Sequence, residues 1–136
     1  MRRLAYCVLF ITALCVPAAA QVLPHDLHCE NATSPRGVKS PQPKLSWVLN
    51  PSVQHAYQVL VASSEEKLNA NVGDLWDSGK VVSEQTSAQY RGKELSSLQR
   101  CYWKVRIWGA YYSAGAYSDP ASWDEGLLFF DDQEAK

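Results

Sequence analysis

The longest unbroken alternation of apolar and polar positions runs through Cys101-Tyr102-Trp103-Lys104-Val105-Arg106-Ile107-Trp108. Successive side chains of a strand point to opposite faces. Cys101, Trp103, Val105 and Ile107 therefore form one apolar row, and Tyr102, Lys104, Arg106 and Trp108 form the other. The first row is core. The second, aromatic and cationic together, faces water or a partner, and any function on this strand belongs to it. Two earlier stretches share the period. Lys44 to Leu49 puts Leu45, Trp47 and Leu49 on one face with Trp47 as core anchor, and Ala56 to Ala62 turns Tyr57, Val59 and Val61 inward. Asn50-Pro51-Ser52 turns the chain between them.

Elsewhere the pattern is shorter. From Gln21 to Pro43 apolar residues are few, and Pro24, Pro35, Pro41 and Pro43 deny the segment a continuous hydrogen-bond ladder; only Leu27-His28-Cys29-Glu30 reads as a first strand. Ser63 to Asn69 breaks the two-residue period. Ser63-Ser64-Glu65-Glu66 matches a capping box with Ser63 as N-cap, which predicts a helix of one or two turns. Asp77-Ser78-Gly79 carries turn chemistry between two short strand pieces, a further strand falls near Ala88-Gln89-Tyr90, and the last runs from about Ala121 to Phe130. About seven short strands with one short helix predict an all-β sandwich of the immunoglobulin-like or fibronectin type III-like kind. The Cys101–Trp108 strand takes the place of strand F, and a turn from Gly109 to Gly115 follows it.

The first twenty residues differ in kind. Arg2 and Arg3 precede an apolar run from Leu4 to Val16, and Pro17-Ala18-Ala19-Ala20 closes it; this is the pattern of a secretory signal peptide cleaved after Ala20, with an apolar run too short to span a bilayer. A lipoprotein signal needs a small residue where Leu14 precedes Cys15, and the paired arginines lack the remainder of a twin-arginine signal. The expected division is a signal over 1–20, one sandwich domain over 21–130 and a charged tail or linker start over 131–136, in a secreted or periplasmic protein. A domain of that length buries roughly two-thirds of its unfolded surface. The whole chain carries 13 basic and 14 acidic residues, and the signal takes away only two arginines. Nothing in that balance draws nucleic acid or, after signal cleavage, a membrane surface.

Of four cysteines, Cys7 and Cys15 leave with the signal. Cys29 and Cys101 remain in an oxidising compartment, where they either form a disulfide or stay as two buried thiols; no feature of the sequence brings their Cα atoms within about 7 Å. His25, Asp26, His28 and Cys29 are residue types that suit zinc, but no second ligand pair at finger-like spacing follows, and the plainer reading is a polar chain start leading to a buried Cys29. Asn31-Ala32-Thr33 is a glycosylation sequon, meaningful only in a host with that machinery. No Gly-x-Ser-x-Gly elbow, His-Glu-x-x-His pair or phosphate loop is present, and no cofactor or metal is expected.

Five ordered blocks carry a resemblance: Pro35-Arg36-Gly37-Val38 leading to Pro43-Lys44-Leu45-Ser46-Trp47, then Ala56 to Ser64, Leu75 to Val81, Tyr102 to Trp108, and Glu125-Gly126-Leu127-Leu128. Together they resemble the N-terminal fibronectin type III-like module of bacterial α-L-rhamnosidases (glycoside hydrolase family 78), over about Leu27 to Leu128. The resemblance implies a sandwich that precedes further β-domains and an (α/α) barrel, the barrel holding the carboxylates of an inverting glycosidase. This chain has Cys101 where an aromatic residue is usual and Tyr117 where a tryptophan is usual, and it stops at Lys136, near the start of the family's linker. No catalytic residue carries over, and a truncated or fragmentary family member is expected.

Inverting hydrolysis needs two carboxyls roughly 6.5 to 9.5 Å apart across a cleft. The acids that come in close pairs are Glu65-Glu66, Asp74 and Asp77, Asp124-Glu125 and Asp131-Asp132; neighbours on a strand point to opposite faces, and those in the cap and turns have structural work. None is assigned a catalytic role. The aromatic residues Trp76, Trp108, Tyr111, Tyr112 and Tyr117 exceed what one small core needs, and flat rings serve to stack on a sugar or to dock a domain. Arg106, Trp108, Tyr111 and Tyr112 form the candidate docking or sugar-stacking surface. The expected role is a non-catalytic accessory module that braces neighbouring domains of a secreted α-L-rhamnosidase, in cis or as a separate chain. The alternative is a free-standing extracellular module binding a rhamnose-containing glycan or a surface partner.

Overall fold

The computed structural model describes residues 23–49, 53–110 and 113–129. The expected signal at 1–20, the tail at 131–136, and Tyr111 and Tyr112 lie outside the described residues. Among those described, the strands are β1 (His25–Cys29), β2 (Lys44–Val48), β3 (Ala56–Ala62), β4 (Trp76–Asp77), β5 (Val81–Val82), β6 (Ser87–Gln89), β7 (Arg100–Trp108) and β8 (Ala121–Asp124), with one helix, α1 (Glu65–Asn69). One sheet has the antiparallel order β1-β2-β6; the other runs β4-β3-β7-β8, with β5 also paired to β3. This is the all-β sandwich expected.

The apolar rows meet as their period dictates. Leu45 and Trp47 of the first sheet close on Val59, Val61, Trp103, Val105 and Trp123 of the second, all buried. Trp47 brings a polar group into this core. Its Nε1–H donates to Gln54 Oε1 at 3.0 Å, and the Gln54 amide donates in turn to the carbonyls of Ser83 at 2.9 Å and Gln85 at 2.7 Å. A buried indole N–H without such a partner would cost about 1–3 kcal/mol.

Three elements differ from the sequence reading. The N-cap of α1 is Ser64, whose Oγ accepts from the Lys67 N–H at 3.2 Å, one residue later than the capping box predicts. Ser63 is taken instead by Asp74: its N–H donates to Oδ1 at 2.9 Å, its hydroxyl to Oδ2 at 2.5 Å, and Lys67 Nζ lies 3.2 Å from the same oxygen. Partial burial pushes the Asp74 carboxyl up, but these donors outweigh it and hold the group below the usual carboxylate range. That contribution to stability is present above the ordinary aspartate value and is lost as pH falls through the lowered one.

Second, α1 packs on the outside of the second sheet, where Leu68 joins Leu60 and Ala62 in a separate buried cluster flanked by Tyr102 and Tyr117. The outward row of β7 is therefore partly covered. Lys104 is only 8% exposed, and its Nζ donates to Asn71 Oδ1 at 2.6 Å. Third, the last strand ends at Asp124, because the chain there exchanges partners with the proline-rich connection: Asp124 N–H donates to Pro35 O, Val38 N–H to Asp124 O, and Gly126 N–H to Val38 O. A Cβ on Gly126 would lie 3.0 Å from the Gly37 backbone, a tighter approach than side chains ordinarily make.

Candidate functional site

Register places the outer-face groups. Gln58 stands opposite Arg106 in the β3–β7 pairing, and Arg106 Nε–H donates to Gln58 Oε1 at 2.9 Å while Gln58 Nε2 donates to Asp77 Oδ1 at 2.8 Å. The guanidinium then lies 5.1 Å from the Trp108 ring centre and 4.9 Å from that of Tyr117. Lys80 approaches Trp108 at 5.2 Å and Lys104 approaches Tyr117 at 4.6 Å. Cations and rings thus alternate across the face, each cation held by a π face. Of the four residues singled out from the sequence, Arg106 and Trp108 come together, and Tyr111 and Tyr112 lie outside the described residues.

Trp108 closes one end of β7; the other end, about 27 Å away at ordinary strand rise, carries a feature that the sequence reading missed. Leu98, Leu127 and Phe129 are 70%, 61% and 84% exposed. Two hydrogen bonds join the segments that carry them: Leu98 N–H donates to Gly126 O at 3.0 Å and Leu128 N–H to Ser97 Oγ at 2.8 Å. Leu98 has φ of +64°, a left-handed conformation that costs a branched side chain about 1 kcal/mol or more. A strained leucine held out in water contributes little to this domain's own packing. The signal available in the sequence was the run Leu127-Leu128-Phe129-Phe130, four apolar residues in succession where alternation would leave half of them polar.

Cys29 and Cys101, the candidate disulfide pair, are both free thiols and both buried. Burial, reinforced by nearby carboxylates, pushes each thiol up to about 12, which leaves them protonated and unreactive. The described members of the paired acids have structural surroundings. Glu65 and Glu66 sit in the first turn of α1, Asp74 holds Ser63, Asp77 accepts from the Gly79 N–H, and Asp124 receives Arg100 through two bonds of 2.7 and 3.1 Å. Glu125 is buried against Trp123. Asp131 and Asp132 lie outside the described residues. Among those described, no three His, Cys, Asp or Glu side chains are grouped to hold a metal ion.

Residues 24–129 match the family described as Rha78A-like, N-terminal immunoglobulin domain. An α-L-rhamnosidase of Formosa agariphila is 38% identical over 101 residues, which is 71% of this chain and 11% of that protein. One of Streptomyces avermitilis is 39% identical over 104 residues, covering 73% of this chain and 10% of its own length. The chain thus spans about a tenth of the length of these curated relatives. Among solved structures, the α-L-rhamnosidase of Dictyoglumus thermophilum superposes with a TM-score of 0.75 at 39% identity, over 80% of this chain and 13% of that one. An Aspergillus terreus α-L-rhamnosidase, 19% identical with a TM-score of 0.60 over 82% of this chain and 13% of its own, shares the fold.

Proposed function

The chain belongs to the family of Rha78A-like N-terminal immunoglobulin domains, and from that premise we propose that it is the exported, non-catalytic accessory module of an α-L-rhamnosidase, bracing the domains beside it. The observation that carries this reading is the exposed apolar group of Leu98, Leu127 and Phe129 at the end where the chain leaves β8. A domain following β8 meets that surface first. Its occupant is accordingly the next domain of the larger protein, and Arg106 with Trp108 offers a second contact at the far end. Binding of a rhamnose-containing glycan at Arg106 and Trp108 has less support, because the cations of that face are already engaged with rings and amides.

The test is a graft. The module replaces the N-terminal immunoglobulin domain of the Streptomyces avermitilis enzyme, and Leu98→Ser with Leu127→Ser is introduced. The pair is expected to lower the thermal midpoint of the host's remaining domains by about 3 °C while leaving the isolated chain within about one degree of its own midpoint. An unchanged host midpoint refutes the bracing role. The chain alone is expected to release no rhamnose from an aryl rhamnoside. Export is tested separately: N-terminal sequencing of protein recovered outside the cytoplasm is expected to begin at Gln21, and a chain still starting at Met1 counts against it.

A further inference from the structure

The two flanks of the sandwich are unequal. On one, β1 contacts β8 and the connection at Pro35–Val38 hydrogen-bonds along the free edge of β8. On the other, β6 is the edge of the first sheet and β4 and β5 edge the second, and between them lies an open cleft of about 760 Å³. That volume falls within the range of small-molecule sites.

Its lining has two parts. Tyr57 and Trp76 supply partly buried rings, each fixed by a buried ring behind it: Tyr57 lies 5.1 Å from Trp47 at 62°, and Trp76 lies 5.5 Å from Tyr90 at 74°. Held edge-to-face on the core, these rings lose little freedom when something stacks on them. The polar part is Lys44, Arg91, Gln85 and Gln89. Lys44 and Gln89 are directly paired across β2 and β6, and Arg91, two residues beyond the end of β6, lines the same cleft. Arg91 lies close enough to Tyr57 to oppose the upward push of burial on that phenol. No aspartate or glutamate lines the cleft.

The contrast with the outer face of the second sheet is informative. There Lys80, Lys104 and Arg106 are all engaged with a ring or an amide. Among the described residues, the side chains of Lys44 and Arg91 meet no carboxylate and no π face. Two unpaired cations beside two rigid rings, with amides that both donate and accept, match a flat ligand carrying hydroxyls and a negative group.

We propose that the cleft between β6 and β4–β5 binds an acidic saccharide: a sugar ring stacks on Tyr57 and Trp76, its carboxylate or sulfate meets Lys44 and Arg91, and its hydroxyls reach Gln85 and Gln89. This goes beyond the bracing role and uses other residues, so the graft and the experiment below fail independently.

The full chain is titrated, with tryptophan fluorescence as readout, against trigalacturonate, a sulfated galactose disaccharide, neutral galactotriose and inorganic sulfate. At least one of the two acidic sugars is expected to bind near 1 mM, and which one does identifies the acidic group. Galactotriose and inorganic sulfate are expected to bind at least about tenfold more weakly. Lys44→Gln and Arg91→Gln, both on exposed side chains, are expected to weaken the acidic sugar about tenfold each, and Trp76→Leu to abolish the fluorescence response. Three results overturn the proposal: no acidic sugar bound at about 10 mM, galactotriose or sulfate bound as tightly as the acidic sugars, or affinity unchanged in the Lys44→Gln, Arg91→Gln double variant.

Discussion

Replacing Gly92 with alanine is expected to lower the unfolding free energy by about 3 kcal/mol, the upper part of the range for overpacking. A Cβ at this position would fall on the Leu75 carbonyl oxygen, 2.5 Å from the Trp76 Cβ and 2.7 Å from the Tyr90 hydroxyl. Rotating a side chain does not clear the first two, because they are backbone or fixed to it. The backbone there is also tied down: Lys93 N–H donates to Leu75 O at 2.8 Å, and the Tyr90 hydroxyl donates to Lys93 O at 2.6 Å. Moving Leu75 aside breaks the first of these bonds, and moving Tyr90 disturbs its ring contacts with Trp76 and Trp123. Gly79→Ala is the control. Its φ is +63°, but nothing lies within 4 Å of the added carbon, so only conformational strain of about 1 kcal/mol is expected. Urea unfolding of the two variants separates the cases, and equal losses would refute the steric account.

What could be read from the sequence was what depends on local period. The inward row Cys101, Trp103, Val105 and Ile107 is buried as alternation requires, and β3 occupies Ala56–Ala62 as expected. Alternation assigns a residue to a face, however, and says nothing of what lies over that face. Leu60 and Lys104 do point away from the main core, yet both are buried, because α1 and the segment holding Tyr117 fold across them. The cap slipped for a similar reason. Ser63 and Ser64 satisfy the same local pattern, and Asp74, eleven residues away, decides between them.

The candidate surfaces divide the same way. Arg106 and Trp108 are two apart on one strand, so their contact follows from the period alone. The apolar group at Leu98 depends on a positive φ and on a backbone bond to Gly126, neither of which has a composition signal. The cleft draws Lys44, Tyr57, Trp76 and Arg91 from separate segments of both sheets. Only Trp76 among them stood out beforehand, as an aromatic residue in excess of the core's needs. Its use becomes visible once β4 and β6 are seen to edge the same flank.

Trp123→Ala is expected to cost about 4 kcal/mol, the range for a large buried aromatic, and the pH dependence around it tests a second feature. Trp123 stands opposite Cys101 in the β7–β8 register, and its Nε1–H donates to Glu125 Oε1 at 2.8 Å. Glu125 is 1% exposed, and its other oxygen has no hydrogen-bond partner among the described residues. Burial pushes this carboxyl above the usual glutamate range; the Trp123 bond pulls the other way, and the Glu30 charge adds to the rise. A group raised on folding favours the folded state while protonated. Its contribution is therefore complete below the ordinary glutamate value and is lost as pH rises through the raised one. Glu125→Gln keeps an acceptor for the indole and removes the ionisation, so its stability relative to the parent chain is expected to climb across that window and then level off. Asp74 and Asp124, both held low, act in the opposite direction but equally in the two proteins, and they cancel in the difference. Urea unfolding of both proteins at a series of pH values measures that difference. A flat line would mean that Glu125 ionises in the folded protein as readily as in the unfolded chain, and that the buried carboxylate has a source of compensation beyond the single bond from Trp123.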